Sequence, residues 1–230
     1  NQISKVYTMV RLGEAKLVRE ALGDRARFIA FPDFRADRAR AMREGFLSDI
    51  QSFHDDFGSK MIKLWNAPRM HDYFDAEGGR DCVGFDSEWR FRHAALADKL
   101  GMMIMVHVAD PDTWFRTKYK DAIKYRAKPD HYRPLRQMID RFPRPWLLAH
   151  RGGWPEDLGF LSELLESHQN AYLDTSATKW VVRELSAHPK GEVIDFLQRW
   201  RGRILFGADI VTVEEQLAPK AGPAASPMGD

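Results

Sequence analysis

Four polar residues sit in, or directly after, short apolar runs. They are Lys63 in Met-Ile-Lys-Leu-Trp, His107 in Ile-Met-Val-His-Val, His150 after Trp-Leu-Leu-Ala, and Asp209 after Ile-Leu-Phe-Gly-Ala. Two imidazoles, a carboxylate and an amine sharing one pocket would suit a divalent metal. His nitrogen and Asp oxygen are ordinary zinc ligands, and a zinc-bound water ionises near neutral pH, becoming a nucleophile or a base. A free imidazole moves protons at the same pH. Asp174, in Tyr-Leu-Asp-Thr-Ser, also ends an apolar run and would line the same pocket, as would Arg151, next to His150.

Each of these residues has a plainer reading. A lone histidine in an apolar strand is usually a hydrogen-bonded core residue. The glycines of His150-Arg-Gly-Gly would serve a turn, and Asp209 would cap a following helix. Asp174 would hold a turn, and Lys63, taken alone, reads as reaching past a barrel rim into solvent. Their shared placement argues for the pocket.

That placement depends on the elements. Six runs read as strands: Arg27 to Phe31, Met61 to Trp65, Met103 to Val108, Trp146 to Ala149, Ala171 to Leu173 and Arg203 to Phe206. Their starts are 25 to 43 residues apart, room for a crossover helix each time, so parallel pairing is expected. Ala39, Met42, Phe46, Ile50 and Phe53 share one helical face, and a second helix is expected from Pro155, burying Leu158, Leu161 and Leu165. Trp89 to Leu100 and Glu192 to Trp200 also read as helical. The class is α/β, with a doubly wound sheet and a (β/α) barrel both open. Strand-end polar residues favour the barrel, whose strand C-termini converge on one catalytic face. No Gly-rich phosphate loop follows a strand, which leaves little support for a Rossmann or P-loop fold.

Composition narrows the function. The 230 residues are 44% hydrophobic and 30% charged, which excludes disordered and fibrous classes. The longest apolar run, Gly101 to Ala109, is far short of the roughly 20 residues needed to cross a membrane. Lys and Arg number 35 against 33 Asp and Glu, too balanced for a whole-molecule attraction to nucleic acid. One basic stretch, Arg116 to Arg136, interleaves eight Lys or Arg with three Tyr. It reads as a solvated face, as a nucleic-acid surface, or as an overhang selecting a carboxylate-bearing substrate. Cys82 is the one cysteine, so no disulfide is expected and a reducing, cytoplasmic setting is. His54 and His168 fall near helix C-termini, and His71, His93, His131 and His188 are expected on polar loops or helix surfaces. Residues 1–230 read as one barrel domain with a loop or tail at 219–230, and no targeting segment is seen at the start.

Met-Val-His107-Val-Ala-Asp-Pro, Leu-Leu-Ala-His150-Arg-Gly-Gly, Ala-Tyr-Leu-Asp174-Thr-Ser and Arg-Ile-Leu-Phe-Gly-Ala-Asp209 together resemble the amidohydrolase-related (amidohydrolase 2) family. Those proteins are metal-dependent (β/α)8 TIM-barrel hydrolases and include the aminocarboxymuconate-semialdehyde decarboxylase type. The resemblance runs from Arg27 to Asp209. It implies His107 and Asp209 as metal ligands, on strands 5 and 8. His150, on strand 6, would be either a further ligand or the acid/base, and Lys63 would stand at the strand-4 position that some relatives carbamylate. The family's opening His-x-His strand has no counterpart in the 230 residues. Six strands therefore match numbers 3 to 8, and a fragment lacking strands 1 and 2 and the C-terminal helices is expected.

The resulting expectation is a metal-dependent hydrolase acting on a small carboxylate-bearing substrate. Its catalytic residues would be His150 and Asp209, its pocket residues Lys63, Arg151 and Asp174, and its metal zinc first and manganese second. A decarboxylase of the same family is the alternative. A non-catalytic barrel binding anions or nucleic acid through 116–136 is the alternative from another class. A membrane partner is not expected, and self-association is left open.

Overall fold

The computed structural model describes residues 3–34, 37–74 and 78–211, so the expected tail at 219–230 lies outside the described residues. In chain order the elements are β1 (Val6–Thr8), α1 (Leu12–Leu22), β2 (Ala26–Phe28), α2 (Arg38–Ala41), α3 (Glu44–Phe57), β3 (Met61–Trp65), α4 (Glu88–Lys99) and β4 (Met103–His107). There follow α5 (Asp112–Thr117), α6 (Ala122–Tyr125), α7 (Tyr132–Arg141), β5 (Trp146–Leu148), α8 (Leu158–Ser167), β6 (Ala171–Asp174), α9 (Thr178–Leu185), α10 (Lys190–Arg199) and β7 (Ile204–Leu205).

Every strand pairing is parallel. β3 to β7 form one sheet in sequence order, and β1 pairs with β2. The two sheets join just past β2, where the Ala30 N–H donates to the Met61 carbonyl (2.9 Å) and Ala30 O accepts from Lys63 N–H (2.8 Å). Each strand thus neighbours the next in sequence with helix between, which is the TIM-barrel arrangement. Seven parallel strands are present among the described residues, where that fold has eight.

All six expected strands form, and β1 is one more than expected. It was illegible because Val6-Tyr-Thr8 is three residues long and mostly exposed, so no alternation of buried and solvated positions is written there. Both outermost strands expose apolar side chains, with Tyr7 at 58% and Leu205 at 38% of full exposure. No described strand bridges β1 and β7.

The alternation of each strand builds two cores. Facing the helices, Ile62, Leu64, Ile104, Val106, Leu148 and Leu173 join Phe46, Ile50, Leu135 and Leu161 in the main cluster. Facing the barrel axis, Met61, Ile29 and Leu147 pack with Met103, Met105 and Tyr172. Register aligns Lys63 with Met105, Met105 with Leu147, and Leu147 with Tyr172, so Lys63 belongs to an otherwise apolar interior layer.

Two helix expectations need correction. The helix from Ala39 to Phe53 is in fact two, α2 and α3, broken at Arg43 (φ −122°, ψ −123°). There the guanidinium turns out to bind both oxygens of Asp81 (2.9 and 2.6 Å) and the Gly78 carbonyl. Ala39 is exposed, while Met42, Phe46, Ile50 and Phe53 are fully buried. The helix expected from Pro155 begins instead at Leu158, because Asp157 caps it by accepting from Phe160 N–H (2.8 Å). Helices α4 and α10 fall where expected. Among the described residues, no helix is long and apolar enough to cross a membrane.

Candidate active site

His107 closes β4 and Asp174 closes β6. His150 lies two residues past β5, and Asp209 four past β7. All are at strand C-terminal ends, the face on which TIM-barrel enzymes build their sites. The structure brings the two histidines together, with ring centroids 4.4 Å apart and planes at 76°. His107 remains partly open, its side chain 16% exposed, whereas His150 is buried. The His107 Nε2 lies 3.1 Å from Oδ1 of the buried Asp110, whose Oδ2 accepts from Tyr119 OH (2.9 Å). Burial and that carboxylate push the Tyr119 hydroxyl pKa far up, so it stays a donor.

His150 is held more tightly. Its backbone is left-handed (φ 59°) and its N–H donates to Asp174 Oδ1 (2.7 Å). Its Nδ1 meets Ser176 Oγ at 2.7 Å, and that hydroxyl in turn donates to Asp174 Oδ1 (2.6 Å). Burial, and then the neighbouring His107 and Lys63, drive the His150 pKa well below the ordinary imidazole value. Lys63 is buried rather than extended past the rim, because its layer lies inside the barrel. Burial lowers its pKa, and the charges of Asp174 and Asp209 oppose that shift.

Backbone geometry is unusual on this face. Among the described residues, five non-glycine positions have positive φ, and His150, Arg151, Ala177 and Asp209 are four of them, all on loops that follow strands β5 to β7. Conformations of this kind cost free energy and gather at functional sites. Gly153 is needed for a second reason. At φ 77°, a Cβ there would stand 2.3 Å from the Ala109 carbonyl, so the loop after β5 presses directly on the loop carrying Asp110. Arg151 is buried, and its Nε and Nη1 have no hydrogen-bond partner among the described residues.

Asp209 is apart from this group. It is exposed, and it reaches the cluster through its charge on Lys63. Among the described residues no three His, Cys, Asp or Glu side chains converge to hold a metal. His107, His150 and Asp209 therefore do not make a complete ligand shell by themselves. Ser176 was not singled out in the sequence, although it follows Asp174 in a quoted motif; a serine two residues past a strand end has no distinguishing spacing.

The remaining expectations divide. Cys82 is buried and its thiol pKa is raised by burial, which makes it inert. His93 and His131 are not surface residues. His93 is fully buried beneath Phe46, with its Nε2 at the Arg43 carbonyl (2.9 Å) and its pKa pushed down to about 3 by burial. His131 is buried against the Tyr125 carbonyl, with its pKa lowered to about 4 by burial. In the basic stretch, Lys124 pairs with Asp72, Arg126 with Asp86, Lys128 with Asp112 and Glu156, and Arg136 with Glu163. Half of its eight cations are thus engaged with the chain's own carboxylates.

No protein-family model matches the sequence, and no curated protein does. Solved structures do match. An uncharacterised TIM-barrel protein from Bordetella bronchiseptica aligns with a TM-score of 0.55 at 15% identity, over 89% of this chain and 64% of its own. A 2,6-dihydroxybenzoate decarboxylase complexed with 2,6-dihydroxybenzoate gives 0.52 at 14%, over 91% and 70%. The 2,6-dihydroxybenzoate decarboxylase from Rhizobium gives 0.51 at 16%, over 84% and 62%. At these identities the likeness shows the fold, and this chain spans roughly two thirds of theirs.

Proposed function

We propose that this barrel serves a metal-dependent hydrolase acting on a small carboxylate-bearing substrate, with His150 as the acid/base. The observation that carries the reading is the His107–His150 pair, 4.4 Å apart at the strand ends of a TIM barrel and above a buried lysine. A buried imidazole whose Nδ1 is tied to Ser176 has its other nitrogen left to take a proton from an attacking water. Lys63 and Arg151 supply positive charge at the same end of the barrel, as an anionic substrate requires. A decarboxylase is the second reading, favoured by the two decarboxylases among the similar structures. There His150 would pass to the carbon that loses CO2 a proton that its Nε2 had first taken from water or from a substrate hydroxyl.

In this proposal His107 and Asp209 hold the divalent metal, zinc before manganese by donor type. The metal would supply Lewis-acid activation of water or substrate. Elemental analysis of the purified chain and of its His107→Ala and Asp209→Ala variants tests the assignment. Stoichiometric metal in the parent and its loss in both variants is expected. Variants that keep the parent's metal content would sink it. A screen of amides, esters and lactones bearing a carboxylate, run beside one of hydroxybenzoates scored for CO2, separates the two reactions.

A further inference from the structure

The hydrogen bonds around His150 fix more than its position. Asp174 Oδ1 receives three groups of the loops that meet there: the His150 N–H at 2.7 Å, the Ser176 N–H at 3.0 Å and the Ser176 hydroxyl at 2.6 Å. A carboxylate only accepts, and a serine hydroxyl has a single proton to donate. That proton lies on the bond to Asp174, so at the imidazole, 2.7 Å away, Ser176 Oγ can only accept. The hydrogen between them belongs to His150 Nδ1, which leaves the lone pair on Nε2. Were Ser176 to donate to Nδ1 instead, two oxygens 2.6 Å apart would face each other with no proton between them, inside a buried site.

We propose that Ser176 is a positioning residue, and that the chain Asp174–Ser176–His150 locks the imidazole in its Nδ1–H tautomer with Nε2 as the proton acceptor. The lock is built into the loop after β6. Ala177, next in sequence, is left-handed (φ 55°), and both the backbone N–H and the hydroxyl of Ser176 are turned onto the one carboxylate oxygen. A serine–histidine pair at this distance also suggests a nucleophile activated by a base. The geometry argues against that: Ser176 is only 3% exposed, and its proton is directed to Asp174 rather than to the imidazole. The catalytic consequence of the lock rests on the role proposed for His150 above, whereas the tautomer itself does not.

Long-range proton–nitrogen correlation of the chain labelled with ¹⁵N at histidine reads the tautomer directly, at about pH 8 where an ordinary imidazole is neutral. The His150 signals are assigned by their loss in His150→Gln. The expected result is a pure Nδ1–H form in the parent, a mixture of tautomers in Ser176→Ala, and a restored Nδ1–H form in Ser176→Thr. An Nε2–H form in the parent, or an unchanged tautomer in Ser176→Ala, overturns the proposal. If Ser176→Ala does not fold, the parent and threonine spectra still decide it. A chain that shows the lock but neither reaction retires the proposed function and leaves the positioning role standing.

Discussion

The buried histidines show how a single side chain is committed to one protonation state. His93 stacks edge-on against Phe46 at 4.9 Å inside the α3–α4 interface, with one donor bond to the Arg43 carbonyl. Its folded pKa is about 3, whereas an unfolded imidazole titrates near 6.5. The unfolded chain therefore binds the proton first as pH falls. The stability from this ring is complete above about pH 6.5 and is lost progressively toward pH 3, by up to about 1.4 kcal/mol per pH unit. Urea denaturation midpoints across that interval are expected to fall with pH, and His93→Gln, which keeps an amide donor for Arg43 O, is expected to flatten the profile. A profile identical to the parent's would remove His93 from the acid response.

Between elements, the loops that follow β4 and β5 are fastened to each other before any substrate is considered. Lys128 is buried between Asp112 (2.7 Å) and Glu156 (3.4 Å), with its ammonium 4.9 Å from the Trp154 ring centre. Glu156 also accepts from the Asp112 N–H (2.7 Å). Removing one partner of a buried ion group leaves charge without compensation and costs about 3–5 kcal/mol. Lys128→Ala is expected to lower unfolding stability by about that amount, whereas Lys118→Ala, whose ammonium lies over the Trp114 ring with no carboxylate partner among the described residues, is expected to stay within about 1 kcal/mol of the parent. Equal effects in both variants would show that the cluster does not fasten the two loops. In a stretch that reads as a basic surface, Lys128 is thus a buried fastening, while Arg116, Lys118, Lys120, Lys124 and Arg133 stay exposed.

For the molecule as a whole, the seam between β1 and β7 sets the order of local opening. β4 to β6 are paired on both sides, β3 pairs with β4 and meets the Ala30 bridge on its other side, and all four lie between two apolar cores, while among the described residues β1 and β7 each pair on one side and carry exposed residues. Amides with few buried contacts exchange at low free energy. Hydrogen exchange is expected to protect β3, β4, β5 and β6 most and β7 and β1 least. Uniform protection across all seven strands would mean that the seam is closed in solution.

Six of the seven described strands, the α/β class and the placement of His107, His150, Asp174 and Asp209 at or just past strand C-terminal ends were legible in the sequence. Apolar runs, helical periods and the spacing of strand-end residues are local properties written in consecutive residues. β1 was not legible, because three residues, two of them exposed, carry no pattern. The break at Arg43 was not legible either, because its cause, Asp81, is 38 residues away. Only the tertiary structure decided that Lys63 is interior, that His93 is core, that Asp209 is exposed, and that Ser176 holds His150 across 26 residues. Strand alternation follows from the pleat of each strand taken alone. Burial and hydrogen-bond partners follow from which loops the curved sheet brings together, and that is set by the packing of all the strands at once.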